Sequence, residues 1–170
     1  MTHLLLSGRP GAGKTHVGKW LAEQHGFKHI ETDDPAGMQT LTDLLNSVQT
    51  PQSLGDNVVV EWGFMIPYFD DGLVHKLRGM GFDAWWLDGD EPTCHQRYRA
   101  TRQHLSPADL DSAEKAYRVQ VAAIERAWPR LQSFYGDDRI IRTVTSGPTG
   151  PEILTTVQIV AIMQADGGEG

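Results

Sequence analysis

Apolar residues in this chain fall into short runs, separated by stretches in which they recur at helical spacing. Residues 3–7 are mostly apolar and end at Gly8, and the glycine-rich turn behind them predicts a buried strand. From Lys14 to His25, Val17, Trp20, Leu21 and Ala22 lie at helical spacing, and Gly26 ends that helix. Residues 28–31 predict a short second strand and residues 40–48 a short helix. Residues 57–61, with Val58, Val59 and Val60, give the strongest strand signal. Residues 68–80 read as a helix closed by Gly79 and Gly81, and residues 82–87, through Trp85, Trp86 and Leu87, as a fourth strand. Residues 92–103 form a basic helix. Ser106, Pro107 and Asp109 are a helix start, and that helix is expected to run to about residue 131, with Pro129 kinking or stopping it. Residues 138–144 complete a set of five strands, residues 151–164 form the last helix, and residues 166–170 are expected to fray. Short strands alternating with helices predict an α/β fold with a mostly parallel sheet, residues 1–165 forming one domain.

Composition narrows this picture. In 170 residues there are 15 Lys and Arg against 22 Asp and Glu, a formal net charge of −7. That balance argues against broad electrostatic binding to duplex nucleic acid, yet it leaves room for a local cationic groove. The single cysteine excludes an intrachain disulfide framework and a cysteine-based zinc cluster, and it fits a reducing, cytoplasmic compartment. The apolar stretch 153–163 is broken by Thr155, Thr156 and Gln158, where about 20 apolar residues would be needed to span a bilayer. The first residues carry no basic region or cleavage site, so neither a secretory signal nor a membrane partner is expected. No feature of the chain speaks to its oligomeric state.

Between the first strand and the first helix lies Gly8-Arg9-Pro10-Gly11-Ala12-Gly13-Lys14-Thr15, followed by His16. This is the G-x-x-x-x-G-K-[ST] pattern of a phosphate-binding loop, in its confirming strand–loop–helix context. Glycines let backbone N–H groups curl around an anion without Cβ clashes, and the following helix points its positive end at the same anion. Lys14 is placed to reach β- and γ-phosphates and the Thr15 hydroxyl to ligate Mg²⁺.

Carboxylates follow at strand ends. Asp33 and Asp34 come after the second strand, at the sheet edge where open α/β folds bind ligands. Each suits a proton acceptor or a magnesium ligand, direct or through water, and Asp-Asp-Pro is equally good helix-start or turn chemistry. Glu61 ends the third strand; it suits water-mediated Mg²⁺ binding, contact with an acceptor, or a charge simply leaving the core. Arg97, Arg99 and Arg102 crowd the basic helix and read either as a mobile lid over phosphates or as a solvated helix face. Trp62, Phe64, Tyr68 and Phe69 could stack on a flat acceptor or pack in the core, and Trp85 and Trp86, facing opposite sides of a strand, read as core. The seven histidines, His16, His25 and His29 among them, show no metal-ligand spacing, and Cys94 carries no evident chemistry.

In their order, the phosphate loop, Asp33-Asp34, the strand ending in Glu61 and the arginine-rich helix resemble the small P-loop kinases. These include adenylate, shikimate and gluconate kinases and the kinase domain of polynucleotide 5′-kinases. The resemblance implies a three-layer fold, a five-stranded parallel sheet in the order 2-3-1-4-5 with helices on both faces, a short arginine-rich lid, and ATP and Mg²⁺ as cofactors. It implies that Asp33 is the general base, that Glu61 is the acid of the third strand, and that Arg97 and Arg102 clamp phosphates. It also implies that the loop holding Ser146, Gly147, Pro148 and Thr149 binds adenine. This chain departs from the polynucleotide kinases where Pro35-Ala36-Gly37-Met38 replaces an acceptor-phosphate arginine, in a short insert between the second and third strands, and in its acidic charge. These departures favour a small hydroxyl compound or a nucleoside-like acceptor. A nucleic-acid hydroxyl, either a 5′-end or a hydroxymethylated base, is the alternative, with Trp62 or Phe64 stacking on it. A sugar-nucleotide-directed toxin kinase is a third variant. A nucleotide-hydrolysing switch or assembly protein is the rival of another class, although no guanine-specific [NT]-K-x-D signature is present.

Overall fold

The computed structural model describes residues 1–63, 71–148 and 150–165. Phe64, Tyr68, Phe69, Thr149 and the tail 166–170 lie outside the described residues. Strand β1 (Thr2–Gly8) runs into helix α1 (Lys14–His25), then β2 (Lys28–Glu31), α2 (Pro35–Leu45), α3 (Pro51–Leu54) and β3 (Asn57–Glu61). Next come α4 (Asp71–Gly79), β4 (Phe82–Gly89), α5 (Glu91–Ala100), the long α6 (Pro107–Tyr135), β5 (Ile140–Gly147), β6 (Gly150–Ile153) and α7 (Thr156–Ala165). The sheet order is β2-β3-β1-β4-β5-β6. The first five strands are parallel, and β6 lies antiparallel to β5 at one edge.

Alternation along the strands divides the core into two layers. Leu4, Leu6, Val59, Trp85 and Leu87 face α1 and α7, where Val17, Leu21, Ile159, Val160 and Met163 meet them. Leu5, Val58, Val60, Ala84 and Trp86 face the other way, onto Leu41 and Leu44 of α2, Val74 and Leu77 of α4, and Ile124, Leu131 and Tyr135 of α6. Adjacent Trp85 and Trp86 are thus both fully buried, one in each layer. Each large apolar side chain removed from water in this way contributes about 1.5–3 kcal/mol.

Helix α3 is not expected from the sequence, α5 ends at Ala100 and so leaves Arg102 beyond it, and three further elements differ from the sequence expectation. Helix α2 begins at Pro35, not at residue 40, because Asp34 caps it and Pro35 occupies its first turn, where no N–H is needed. The helix expected over 151–164 begins only at Thr156. Residues Gly150–Ile153 instead pair with β5, with Ser146 opposite Pro151, and make a sixth strand. Pro151 lacks a donor, and an edge strand is the place in a sheet that tolerates it. Helix α6 continues through Pro129 to Tyr135, since Leu131 and Tyr135 are buried beyond the proline and hold the last turns against the sheet.

Parallel pairing brings the carboxyl ends of the strands to one edge. Glu31 is level with Glu61, Leu6 with Glu61 and Trp85, and Gly8 with Leu87. Everything that follows β1, β2, β3 and β4 therefore converges there.

Candidate active site

The loop after β1 depends on its glycines. Gly8 has φ +146, and a Cβ there would lie 2.0 Å from the Leu87 carbonyl oxygen. Gly11 has φ +83, with a Cβ 2.0 Å from the Cys94 carbonyl oxygen. The loop is therefore pressed between β4 and α5, and only a bare backbone fits. Gly13 caps α1 without a side-chain hydrogen bond to the helix N-terminus, which leaves those N–H groups for an anion. Lys14 folds back over the loop, its Nζ donating to Gly8 O at 3.0 Å and Arg9 O at 3.2 Å. Burial pushes the Lys14 ammonium below the usual lysine range, and the nearby Glu61 and Asp33 carboxylates partly offset this. A phosphate seated on the loop would supply more of the counter-charge that burial demands.

A cleft of about 370 Å³ opens beside this loop. The loop and α1 contribute Pro10, Gly11, Gly13, Lys14, Thr15 and His16; the ends of β2 and β3 contribute Asp33, Glu61 and Gly63. On the opposite side stand Arg97 and Tyr98 of α5, Thr101 and Arg102 just beyond it, and Gln120 of α6.

The structure separates the two adjacent aspartates. Asp34 Oδ2 accepts from the N–H groups of Ala36 and Gly37 at 3.0 and 3.2 Å, so its side chain serves as the cap of α2. Asp33 faces the cleft beside Gly63, where a Cβ would stand 3.1 Å from Asp33 Oδ1. Glu61 is buried at the end of β3. Its Oε1 accepts from the Thr15 hydroxyl at 2.5 Å, and its Oε2 lies 3.2 Å from His29 Nε2. A hydroxyl and two carboxylates are hard oxygen donors suited to Mg²⁺. Among the described residues there is no cluster of three or more His, Cys, Asp and Glu side chains able to cage a metal. The set fits an ion that keeps several waters and shares the substrate's phosphates.

The arginines part company in the same way. Arg97 reaches over the loop, its Nη2 3.3 Å from where a Gly13 Cβ would stand. Arg102 lies 3.6 Å over the Tyr98 ring and donates to Tyr98 O at 3.2 Å. Arg99 points elsewhere, to Glu114 at 2.9 Å, a carboxylate that His95 also approaches at 2.6 Å.

Several expected site residues stand outside the cleft. Arg9 turns its Nε to Asp88 Oδ1 at 2.9 Å, so its guanidinium ties the loop to β4. Gly8 and Ala12 are buried in the loop's scaffold. Trp62 is core, packed with Leu41, Leu44 and Val74, because the strand alternation that brings Glu61 to the P-loop turns the next side chain inward. Ser146 lines a separate cavity of about 560 Å³ with Arg9, Asp88, Asp90, Trp128 and Arg142. Gly147 pairs with Gly150, and Pro148 lies in the turn between them. The hairpin sets this loop at the sheet edge, in a cavity that Arg9 of the phosphate loop also lines. Cys94 is buried under α5; burial pushes its thiol up to about 11, so it is no nucleophile at neutral pH.

Sequence reading missed Thr143 and Gln120. Thr143 Oγ1 lies 2.8 Å from Ala12 O and 3.0 Å from Asp88 O, fastening the phosphate loop to β5. Its strand carries Thr143, Thr145 and Ser146 alike, so the sequence held no signal that singled out Thr143. Gln120 had none, since one polar residue on a long helix is ordinary.

Comparisons with known proteins bear on the fold that carries this cleft. A shikimate kinase of Symbiobacterium thermophilum is 25% identical over 183 residues, covering 99% of each chain. The solved shikimate kinase of Acinetobacter baumannii, in complex with shikimate, superposes with a TM-score of 0.59 at 18% identity, over 99% of this chain and 96% of its own. This chain has the fold of the small P-loop kinases and resembles a shikimate kinase along its length. A gluconokinase from Sinorhizobium meliloti shares this fold, with a TM-score of 0.53 at 20% identity over 96% of this chain and 90% of its own. No family model matches the chain. Among its described residues, no helix is long and apolar enough to cross a membrane.

Proposed function

We propose that the kinase binds ATP with Mg²⁺ and transfers the γ-phosphoryl group to a hydroxyl of a small acceptor. One observation carries this reading: Lys14 and Thr15 of the phosphate loop, the Asp33 carboxylate, and Arg97 and Arg102 of the lid all line one cleft. In the transfer, the acceptor's O–H bond breaks and its oxygen bonds phosphorus. The bond from phosphorus to the β–γ bridging oxygen breaks, and the proton passes to Asp33. A positioned base of this kind is worth roughly 100- to 10,000-fold in rate. Lys14, Arg97 and Arg102 offset the charge spread over the transferring oxygens. Thr15 and, through water, Glu61 or Asp33 would hold Mg²⁺, which would offset the negative charge of the phosphates. Arg102, stacked on Tyr98 over the cleft, helps exclude water that would otherwise take the phosphoryl group.

The acceptor half of the cleft narrows the substrate. Between Lys28 and Lys76 there is no lysine or arginine, while Glu31, Asp33, Asp34, Asp43, Asp56, Glu61, Asp70 and Asp71 all fall there. This stretch supplies Asp33, Glu61 and Gly63 to the cleft and offers no cation to hold an acid such as shikimate or gluconate. The acceptor is therefore an uncharged or cationic hydroxyl compound: a polyol, a nucleoside or an aminated sugar. The test is transfer from γ-labelled ATP in Mg²⁺ to acceptors pooled by class. Labelled neutral or aminated acceptors, lost in Lys14→Ala and Asp33→Asn, support the reading. Preferential labelling of carboxylate acceptors refutes the charge argument, and labelled free phosphate in every pool refutes the transfer.

A further inference from the structure

His29 belongs to no metal or catalytic pattern in the sequence, yet the fold gives it a specific seat. It stands on β2 opposite Val59 of β3, and its side chain is 11% exposed. Its Nε2 faces Glu61 Oε2 at 3.2 Å, while Glu61 Oε1 takes the Thr15 hydroxyl at 2.5 Å. An ionised carboxylate only accepts, so the imidazole nitrogen that faces it carries the proton and donates. Both oxygens of Glu61 are then engaged, and the carboxylate is held in one orientation towards Thr15. A second observation comes from α1. A Cβ at Gly18 would stand 2.4 Å from His29 Nε2, so the helix carries no side chain where the imidazole sits. The ring occupies a notch that glycine alone leaves open, between the helix that presents Thr15 and the strand that presents Glu61.

We propose that His29 is a positioning residue of the magnesium-binding apparatus. Lodged against Gly18, it fixes Glu61 and through it the Thr15 hydroxyl. The inference rests on the kinase reading above, because it concerns how that site would hold its cation. A partner of this kind, one step removed from the ligands, is worth roughly 10- to 100-fold in metal affinity.

The test is calorimetric titration of the intact chain with ADP, in Mg²⁺ and in chelator, together with the thermal unfolding midpoint. In the unaltered chain, ADP binds more tightly with Mg²⁺. His29→Ala loses about tenfold or more of that Mg²⁺-dependent gain and keeps its affinity in chelator. His29→Gln, which retains a donor, keeps most of the gain. Gly18→Ala loses it as His29→Ala does, since the new methyl takes the ring's place. If His29→Ala does not fold, Gly18→Ala and His29→Gln decide the matter. A full Mg²⁺ gain in His29→Ala, or an equal loss with and without metal, overturns the positioning role and leaves the kinase reading standing. Absence of any Mg²⁺ effect in the unaltered chain overturns both.

Discussion

The two walls of the cleft are built from opposite charge. The lid wall comes from α5 and the turn after it, where Arg97 and Arg102 face the phosphate loop. The facing wall comes from the ends of β2 and β3, within a stretch of the chain that has carboxylates and no lysine or arginine. Cations gather where a transferring phosphoryl group would spread its charge, and anions where a hydroxyl would give up its proton. The walls also differ in how their charges are held. Glu61 is buried and bonded to Thr15 and His29, whereas Arg102 lies on an aromatic face and caps a turn.

Substitutions on the two walls would break or sharpen this contrast. The largest effect is expected at the loop between them. Lys14→Ala should lower transfer from labelled ATP on the order of 1,000-fold or more, with an unchanged circular dichroism spectrum. On the anionic wall, Asp33→Asn should lower transfer roughly 100- to 10,000-fold while calorimetric ADP binding persists. Undiminished transfer would move the base to another carboxylate. On the cationic wall, Arg97→Ala should cost roughly 100-fold in kcat, and Arg99→Ala next to nothing, because Arg99 is spent on Glu114. Equal losses would show that the lid is a diffuse field and not two placed guanidinium groups.

Two smaller effects concern Asp34, which the sequence alone left ambiguous, and Cys94. Asp34→Ala removes the cap of α2 and should cost about 1 kcal/mol, lowering Tm by roughly 2–4 °C, with little change in kcat. The pair Asp33 and Asp34 would then separate cleanly into chemistry and stability. Cys94 gives a pH signature. Its folded pKa of about 11 stands above the ordinary value of 9.0, so the neutral thiol stabilises the fold fully below pH 9, and that contribution is lost as pH rises towards 11. Urea denaturation at pH 8 and pH 10.5 should show a fall in stability that is shallower in Cys94→Ala.

Much of the fold was legible in the residues. The bounds of α1, β2 and β3 coincide with the sequence reading, because glycine punctuation and a run of valines leave little local ambiguity. The start of α2 was misplaced because Asp-Pro serves a turn and a helix cap equally well, and only the bonds from Ala36 and Gly37 decide between them. Strand β6 was missed for a different reason: its residues carry no apolar alternation, and its conformation comes from pairing with β5. The loop that the resemblance assigns to adenine forms the turn of that same hairpin, and its Ser146 lines a cavity with Arg9 of the phosphate loop. His29 was passed over because its partners, Glu61 and Gly18, are distant in sequence and meet it only across β3 and α1.

By itself, the sequence determined the phosphate loop, the parallel α/β class and the set of charged residues from which a site could be made. These rest on local properties: backbone freedom at glycine, the period of apolar residues, and the chemistry of each side chain. Tertiary structure alone decided that Asp33 faces the cleft while Asp34 caps a helix, that Arg97 and Arg102 converge while Arg99 turns away, and that Trp62 is core. Neighbours in sequence differ there by the direction of a single side chain, and that direction is set by packing against residues far along the chain.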